Sequence, residues 1–575
     1  MKHISIFQKK SIHQAVFVAA CMLIVNLSIA QQQKNIVNPP APLEVEEGEY
    51  IPVSKDDMAK SPAYKYSIPG FFTTQVNIDE DGNNIVGDAA NEPSIAVDPN
   101  DPSRIAIGWR QFATINNSYR QAGNAFSSDG GDTWTAPEAL DPNQFRSDPV
   151  LVADNNGNFF YNSLAVTNSV YTCDVFTSTN GGASWEGPTY AYGGDKQWMT
   201  VDNSGGMGDG HLYAFWTSAY SICEPNFFSR SSNSNESWEY CTFVEGYPYW
   251  GTLTVDADGN LFVAGTQWNG FIVAKSSNAQ DPNEDITWDF MATVDLDGGL
   301  VGFGGYDCPN PSGLLGQTII DIDRGGGPYN GNVYVLASVE RQSNNDPCDV
   351  MFTKSENGGL SFSTPIRVND DPSTNAYQWF GTMSVAPNGR IDVVWLDTRE
   401  MPGEVWSALY YAYSEDGGDS FSENVKLSEL FNPHEGWPQQ DKMGDYFDMV
   451  SDNNKAHLAW ANTLNGEQDT YYGRISWETT GLQKNEPASG LVLSQNYPNP
   501  VTTETRIQYY LPQSGQVLLS LYDLQGRLVY QPVKEIESAG QHTVTIYADD
   551  LPAGTYYYTI ETTTGRATKK MMIIK

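Results

Sequence analysis

A strand–turn–strand phrase that returns seven times, roughly every 50 to 65 residues, limits what this chain can fold into more than any other feature. Each copy holds an apolar strand, an Asp-containing turn and a second apolar strand that often ends in Trp. Pro93-Ser94-Ile95-Ala96-Val97-Asp98 leads to Ile105-Ala106-Ile107-Gly108-Trp109. The phrase recurs from Pro149 to Asp154 with Phe159, Phe160 and Tyr161, and from Trp198 to Asp202 with Leu212 to Trp216. Further copies run from Trp250 to Asp256, Ile319 to Asp323, Trp379 to Ala386 and Tyr446 to Asp452. One such unit cannot bury its own apolar faces, so the copies must pack on one another. Fifty-two Gly, 32 Pro and 12% aromatic residues suit short strands joined by tight turns, and no helical body is expected.

A second signature, Ser-x-Asp-x-Gly-x-x-Trp, follows most copies. It stands as Ser127, Asp129, Gly131, Trp134; Ser178, Asn180, Gly182, Trp185; Ser355, Asn357, Gly359, Phe362; and Ser414, Asp416, Gly418, Phe421. A degraded form runs from Ser231 through Asn233 to Trp238, and the fourth copy has a stretched loop from Ser276 to Trp288. The chemistry is that of a hairpin: Asp or Asn binds backbone amides, Gly takes a positive φ and the aromatic packs beneath. This is the Asp-box, or BNR, repeat, and residues 70–480 resemble the sialidase-like propeller superfamily. The resemblance implies an all-β propeller, with the Asp-boxes as scaffold facing away from the functional mouth. Sialidases proper have six blades; seven copies favour seven, with six as the alternative. The seventh copy lacks an Asp-box, and Phe72 to Ile78 is expected to supply its outer strand and close the ring.

From 491 to 575 the acidic and basic residues nearly cancel and Trp disappears, after a linker at 481–490. Asn496-Tyr497-Pro498-Asn499-Pro500, Leu521-Tyr522-Asp523-Leu524-Gln525-Gly526-Arg527 and Leu551-Pro552-Ala553-Gly554-Thr555-Tyr556 punctuate period-two strands, which predicts a small β-sandwich. The wording resembles the type A C-terminal sorting domain of the type IX secretion system. That implies handling by the secretion machinery, with export to the outer cell surface or the medium. At the other end, Lys2, Lys9 and Lys10 before the apolar run Ala15 to Ile29 read as a signal peptide over 1–30, cleaved after Ala30. Val18-Ala19-Ala20-Cys21 is a competing lipobox. Residues 31–69, with Pro39-Pro40-Ala41-Pro42, read as a linker or arm. No other stretch has the roughly 20 apolar residues of a membrane span.

The net charge of −38 argues against nucleic acid or an anionic membrane as partner. Asp79-Glu80-Asp81-Gly82-Asn83 and Asp321-Ile322-Asp323 fit either structural Ca²⁺ or ordinary Asp/Gly turns; no other metal or cofactor is expected. Five cysteines remain after the signal. Cys223 with Cys241 and Cys308 with Cys348 are the expected pairs, leaving Cys173.

In a propeller, the loops before each inner strand and after each second strand meet at one mouth. Arg110, Arg341 and Arg399 are expected there as substrate-binding forks for a carboxylate. Trp198, Trp250, Trp379 and Tyr446 are expected at matching positions, either stacking on sugar or plugging the channel. Asp148, Glu340 and Asp397 are the candidate acid and base, with Tyr446 beside Asp445 as a nucleophile. The sialidase arginine motif is not intact: Phe145-Arg146-Ser147-Asp148-Pro149 is a loose echo of it. Three functions therefore stay open, namely a glycoside hydrolase on acidic glycans, a non-catalytic glycan- or protein-binding propeller, and a polysaccharide lyase, for which His434 is the histidine to watch.

Overall fold

The computed structural model describes residues 49–476, apart from 168–169, 268–269 and 303–306, and most of 492–573. The expected signal peptide, the first part of the arm and the 481–490 linker lie outside the described residues. The chain divides into two compact units, Met1–Ile475 and Ser476–Lys575.

In the first unit the seven sequence copies build seven antiparallel sheets. Their innermost strands are Ala89–Val97, Ser147–Ala153, Trp198–Val201, Leu253–Val255, Ile319–Ile322, Gln378–Val385 and Asp448–Ser451. Each touches the next, and the last touches the first, so the sheets close into a ring around an axis. Closure relies on a strand from the other end of the chain. Phe71–Gln75 adds to Asp469–Ser476 of the last sheet, with Phe71 opposite Ile475 and Thr73 opposite Gly473. Thr73 Oγ1 donates to the Tyr472 carbonyl at 2.9 Å and accepts from Trp460 Nε1 at 3.1 Å. The arm is shorter than expected, because Lys60–Pro62 pairs with Asn83–Ile85 and Lys65–Ile68 pairs with Phe71–Gln75. Both are exposed edge strands whose charged and proline residues hide the period of two; Tyr64, between them, packs edge-on against Tyr471 with ring centres 5.9 Å apart.

The terminal Trp of the second strand is a wedge between sheets. Trp109, Trp216, Trp395 and Trp460 all stand five positions into that strand, counted from the residue after the turn, and all are fully buried. Each removes roughly 150–250 Å² from water.

The Asp-boxes share one wiring. Ser127 Oγ donates to Asp129 (2.8 Å) and accepts from Gly131 N–H (2.9 Å), while Asp129 accepts from Thr133 N–H (2.9 Å). The same three bonds recur around Ser178, Ser355 and Ser414. Even the degraded box keeps them, with Asn235 at φ 71° in place of glycine.

Cys223 and Cys241 are bridged, whereas Cys308 and Cys348, expected as a second pair, both carry buried thiols. They lie close enough for Cys308 to add to the burial that pushes the Cys348 thiol up. Cys173 is a third buried thiol.

The second unit is the predicted sandwich. One sheet joins Val492–Leu493, Glu504–Leu511 and Gly540–Tyr547; the other joins Leu528–Glu537, Gly515–Asp523, Gly554–Thr562 and Arg566–Ile573. Ile507, Leu519, Leu521, Tyr558 and Ile560 fill the space between them. No helix among the described residues is long and apolar enough to cross a membrane.

Candidate functional site

The expected mouth is shaped by a repeated irregularity where the inner strands begin. Six residues before the turn position stand Glu92, Asp148, Lys196, Trp250 and Phe380, with φ of 54°, 46°, 53°, 50° and 55°. Pairing slips beside three of them, between Asn91 and Ser94, Ser147 and Val150, and Trp379 and Thr382. Such bulges turn one side chain out of the ladder's alternation. The aromatic residues consequently do not share one position. Trp250 occupies the bulge, Trp379 precedes it by one residue and Trp198 follows it by two. Trp198 packs edge-on against Tyr446 at 5.0 Å, while Trp379 Nε1 donates to Ser407 Oγ at 3.0 Å.

A buried ion cluster occupies the centre. Asp445 accepts from Lys196 Nζ at 2.7 Å, Lys442 Nζ at 3.0 Å and the Leu314 N–H at 2.8 Å. Burial alone would raise its pKa, but Lys196, Lys442 and Arg110 hold it well below the usual carboxylate range. Arg110 Nε lies 3.0 Å from Glu92. Burial pushes Glu92 up to about 8 despite Arg110, because Asp148 and Asp445 add negative potential. Tyr446 is buried, its hydroxyl donates to the Pro149 carbonyl at 2.7 Å, and its pKa is raised by burial and by Glu92 and Asp148. Asn310 ties a covering loop to this cluster, bonding the Leu314 and Gly444 carbonyls at 2.6 and 2.8 Å and the Met443 N–H at 2.8 Å.

The three arginines are not equivalent. Trp109 Nε1 donates to Gln111, as Trp395 Nε1 donates to Asp397, so these strands align with Arg110 three residues short of Arg399. Arg341 and Arg399 do match. Arg341 bonds Asp297 and Asp349 (2.7 Å each), and Arg399 bonds Asp397 (2.8 Å) and Asp370 (2.6 Å). Between them, Asn369 bonds Asp349, Asp371 and Gln378, and Gln378 bonds Asp397 at 3.1 Å. Burial raises the Asp397 pKa, opposed by Arg399. Asp148 is also buried, receiving Ser147 Oγ at 2.5 Å; Glu340 is exposed. Thus Asp148, Arg110 and Tyr446 gather at the axis, and Asp397, Arg399 and Arg341 in a separate network of the fifth and sixth sheets.

Two accessible spaces bear on a ligand. The axial channel holds a cavity of about 360 Å³ rimmed by Pro99, Pro102, Asn203, Ser204 and Pro387, residues of the turns that follow the inner strands. These turns touch the Asp-boxes, as Arg104 does beside Gly157 and Gly181, so the channel opens on that face. The other space is a cleft of about 300 Å³ between the fourth and fifth sheets, lined by Tyr249, Trp250, Thr266, Gln267, Leu300 and Gln342, with glycines as floor. Gly298–Leu300 forms it as an extra strand opposite Val339, Glu340 and Arg341. Gln342 escaped sequence reasoning because it sits in a loop outside the repeat, and Asn310 did so because its partners Met443 and Gly444 are distant in sequence.

Of the two acidic loops, Asp79 accepts the Asp81 and Asn83 N–H groups, and Asp321 accepts Arg324, Ile322 N–H and Val385 N–H. Among the described residues no group of three or more His, Cys, Asp or Glu side chains is arranged to hold a metal ion.

These features define an all-β Asp-box propeller followed by a sandwich that directs export. Residues 495–575 match the family model described as a secretion system C-terminal sorting domain, which places the protein at the cell surface or outside the cell. No curated protein sequence matches the chain. Among solved structures it is similar to a Dyadobacter fermentans protein of unknown function, at 14% identity and TM-score 0.40, covering 71% of this chain and 100% of that one. It is also similar to PorZ, a surface component of the type IX secretion system of Porphyromonas gingivalis (13%, 0.35, covering 84% and 59%). A third similarity is to Trypanosoma rangeli sialidase (10%, 0.37, covering 88% and 89%). At these identities none of them assigns a role to a residue of this chain.

Proposed function

We propose that this protein is an exported, non-catalytic propeller that binds a ligand at or beyond the cell surface. The observation that carries the reading is the condition of the groups that would perform hydrolysis. Asp148, Asp397 and Tyr446 are buried; Asp148 and Asp397 are tied to neighbours on their own sheets, and Tyr446 to Pro149 of the second sheet. A glycosidase needs two carboxyl groups flanking a reachable bond, roughly 5–10 Å apart; only Glu340 of the candidates is exposed. The three arginines, which would hold an anionic substrate, are engaged by Glu92, by Asp297 and Asp349, and by Asp370 and Asp397. A lyase base fares no better: Tyr446 is buried, and His434 packs on Trp437 with its Nε2 3.2 Å from the Cys308 carbonyl.

The test is incubation of the full chain with sialosides and acidic polysaccharides, with product release followed by reducing-end assay and by absorbance of unsaturated uronate. The expected result is no turnover. Turnover that disappears in Glu340→Gln or Asp397→Asn would overturn the proposal.

A further inference from the structure

We infer that the cleft between the fourth and fifth sheets is a binding site for an uncharged saccharide. The inference rests on the binding function proposed above and names its ligand class. Its side chains are an indole, a phenol, a hydroxyl, an isobutyl group and two carboxamides, from Trp250, Tyr249, Thr266, Leu300, Gln267 and Gln342. Among the described residues no charged side chain lines it. Arg341, next to Gln342, is turned to Asp297 and Asp349. A carboxylated or sulfated ligand would find no counter-charge there, on a chain that already carries −38.

Trp250 supplies the second observation. Its Nε1–H is buried and has no acceptor among the described residues. An unmet buried donor costs about 1–3 kcal/mol. Because this atom has no solvent-accessible surface, a ligand in the cleft can meet it only if the indole shifts on binding, and a sugar hydroxyl or ring oxygen is an acceptor of the right kind. Tyr249 meets the indole nearly at right angles, 88° with ring centres 5.0 Å apart, which gives the apolar C–H face of a pyranose an aromatic wall. The glycine floor is obligatory at one point, since a Cβ on Gly298 would lie 2.1 Å from the Glu340 carbonyl oxygen. At Gly299 a Cβ meets nothing within 4 Å. The volume, about 300 Å³, is at the small end of ligand clefts, which fits one or two sugar rings.

The open space at Gly299 gives a clean test. Gly299→Leu fills the cleft without displacing a neighbour, and Trp250→Phe keeps an aromatic ring while deleting the donor. The full chain and both variants are examined by saturation-transfer NMR and calorimetry against lactose, cellobiose, mannobiose and N-acetyllactosamine, with 3′-sialyllactose and hexa-alanine as charged and peptide probes. The expected result is binding of at least one neutral disaccharide, lost at least tenfold in Gly299→Leu and weakened in Trp250→Phe, with melting temperatures unchanged in Gly299→Leu. Binding that Gly299→Leu leaves intact, tighter binding of sialyllactose or hexa-alanine, or no neutral saccharide bound would overturn the inference. Turnover of a probe would instead overturn the non-catalytic reading.

Discussion

Asp445→Asn removes the negative charge that lies between two buried ammonium groups. Lys196 and Lys442 sit 2.7 and 3.0 Å from the same carboxylate oxygen, and all three side chains are at most 5% exposed. Deleting one partner of a buried pair costs about 3–5 kcal/mol, because the remaining charge is stranded. Here two charges are stranded side by side. At a separation of about 5 Å and an effective dielectric of about 20, their mutual repulsion of about 3 kcal/mol, already present in the parent, is no longer outweighed by the carboxylate. The nearby Asp195, 3.9 Å from Lys196, offsets part of that. The expected loss is about 4–6 kcal/mol in urea unfolding at pH 7, followed by tryptophan fluorescence. Lys196→Met should cost less, since Asp445 keeps Lys442. The Asp445 pKa is depressed in the folded state, so its stabilisation is present above the unfolded value near 4 and is lost as pH falls through the folded value. The gap between the parent and Asp445→Asn should therefore narrow in acid. A loss under about 1 kcal/mol at neutral pH, or a gap that widens in acid, would refute the argument.

Four further outcomes are expected. Asp88 is buried, neither carboxylate oxygen has a hydrogen-bond partner among the described residues, and burial pushes its pKa up to about 8. The stability it contributes is full below pH 4 and declines up to pH 8, by at most about 1.4 kcal/mol per pH unit, so Asp88→Asn should flatten that part of the urea-unfolding profile; parallel profiles would refute this. Gly131→Ala places a Cβ 2.1 Å from the Tyr472 ring at φ 87° and should lower stability by about 1–3 kcal/mol in thermal unfolding. Thr73→Pro removes a ladder donor in the strand that closes the ring, together with the hydroxyl that receives Trp460, and should cost about 3 kcal/mol or more. In a chain lacking residues 1–30, alkylation without reductant should label no cysteine when folded and three when unfolded; a single label on unfolding would show that Cys308 and Cys348 are bridged.

The ring was legible in the sequence because its causes are local. Apolar alternation, the Asp turn and the Asp-box bonds all span fewer than ten residues, and each recurs often enough for one degraded copy to be read through the others. The closing strand was legible by subtraction, as the seventh copy lacked an outer partner. The centre was not. Trp198, Trp250 and Trp379 each open an apolar phrase and were assigned one position, but they stand four, six and seven residues before the turn, to either side of the bulge that re-aims side chains there. Arg110 was grouped with Arg399 as a residue that follows the second strand, but Arg110 lies within Ile105–Phe112 while Arg399 stands beyond Ile391–Asp397. The indole bonds of Trp109 to Gln111 and Trp395 to Asp397 show the true register. A long-range partner such as Asn310 leaves no mark at all, because nothing local demands it.

The bulges also bear on where function can reside. A non-glycine residue at positive φ is strained by about 1–3 kcal/mol, and five inner strands repeat it. The strain persists because it turns Glu92 and Lys196 into the axis, where Arg110 and Asp445 receive them in a dry cluster that joins the first, third and seventh sheets. The same arrangement closes the mouth end of the axis to substrate, since any ligand there would have to displace paired buried charges, and leaves the axial cavity open on the Asp-box face. At the mouth, ligand contact is thereby left to features outside the repeat. The strand Gly298–Leu300, found among the described residues only in the fifth sheet, is such a feature, and it walls the cleft lined by Trp250 and Tyr249. Substitutions at the axis should therefore change stability with little effect on ligand affinity in the variants that remain folded, and substitutions beside Gly299 should do the reverse. A parallel titration of Lys196→Met and Gly299→Leu measures both, and loss of affinity in Lys196→Met at unchanged melting temperature would return the binding site to the axis.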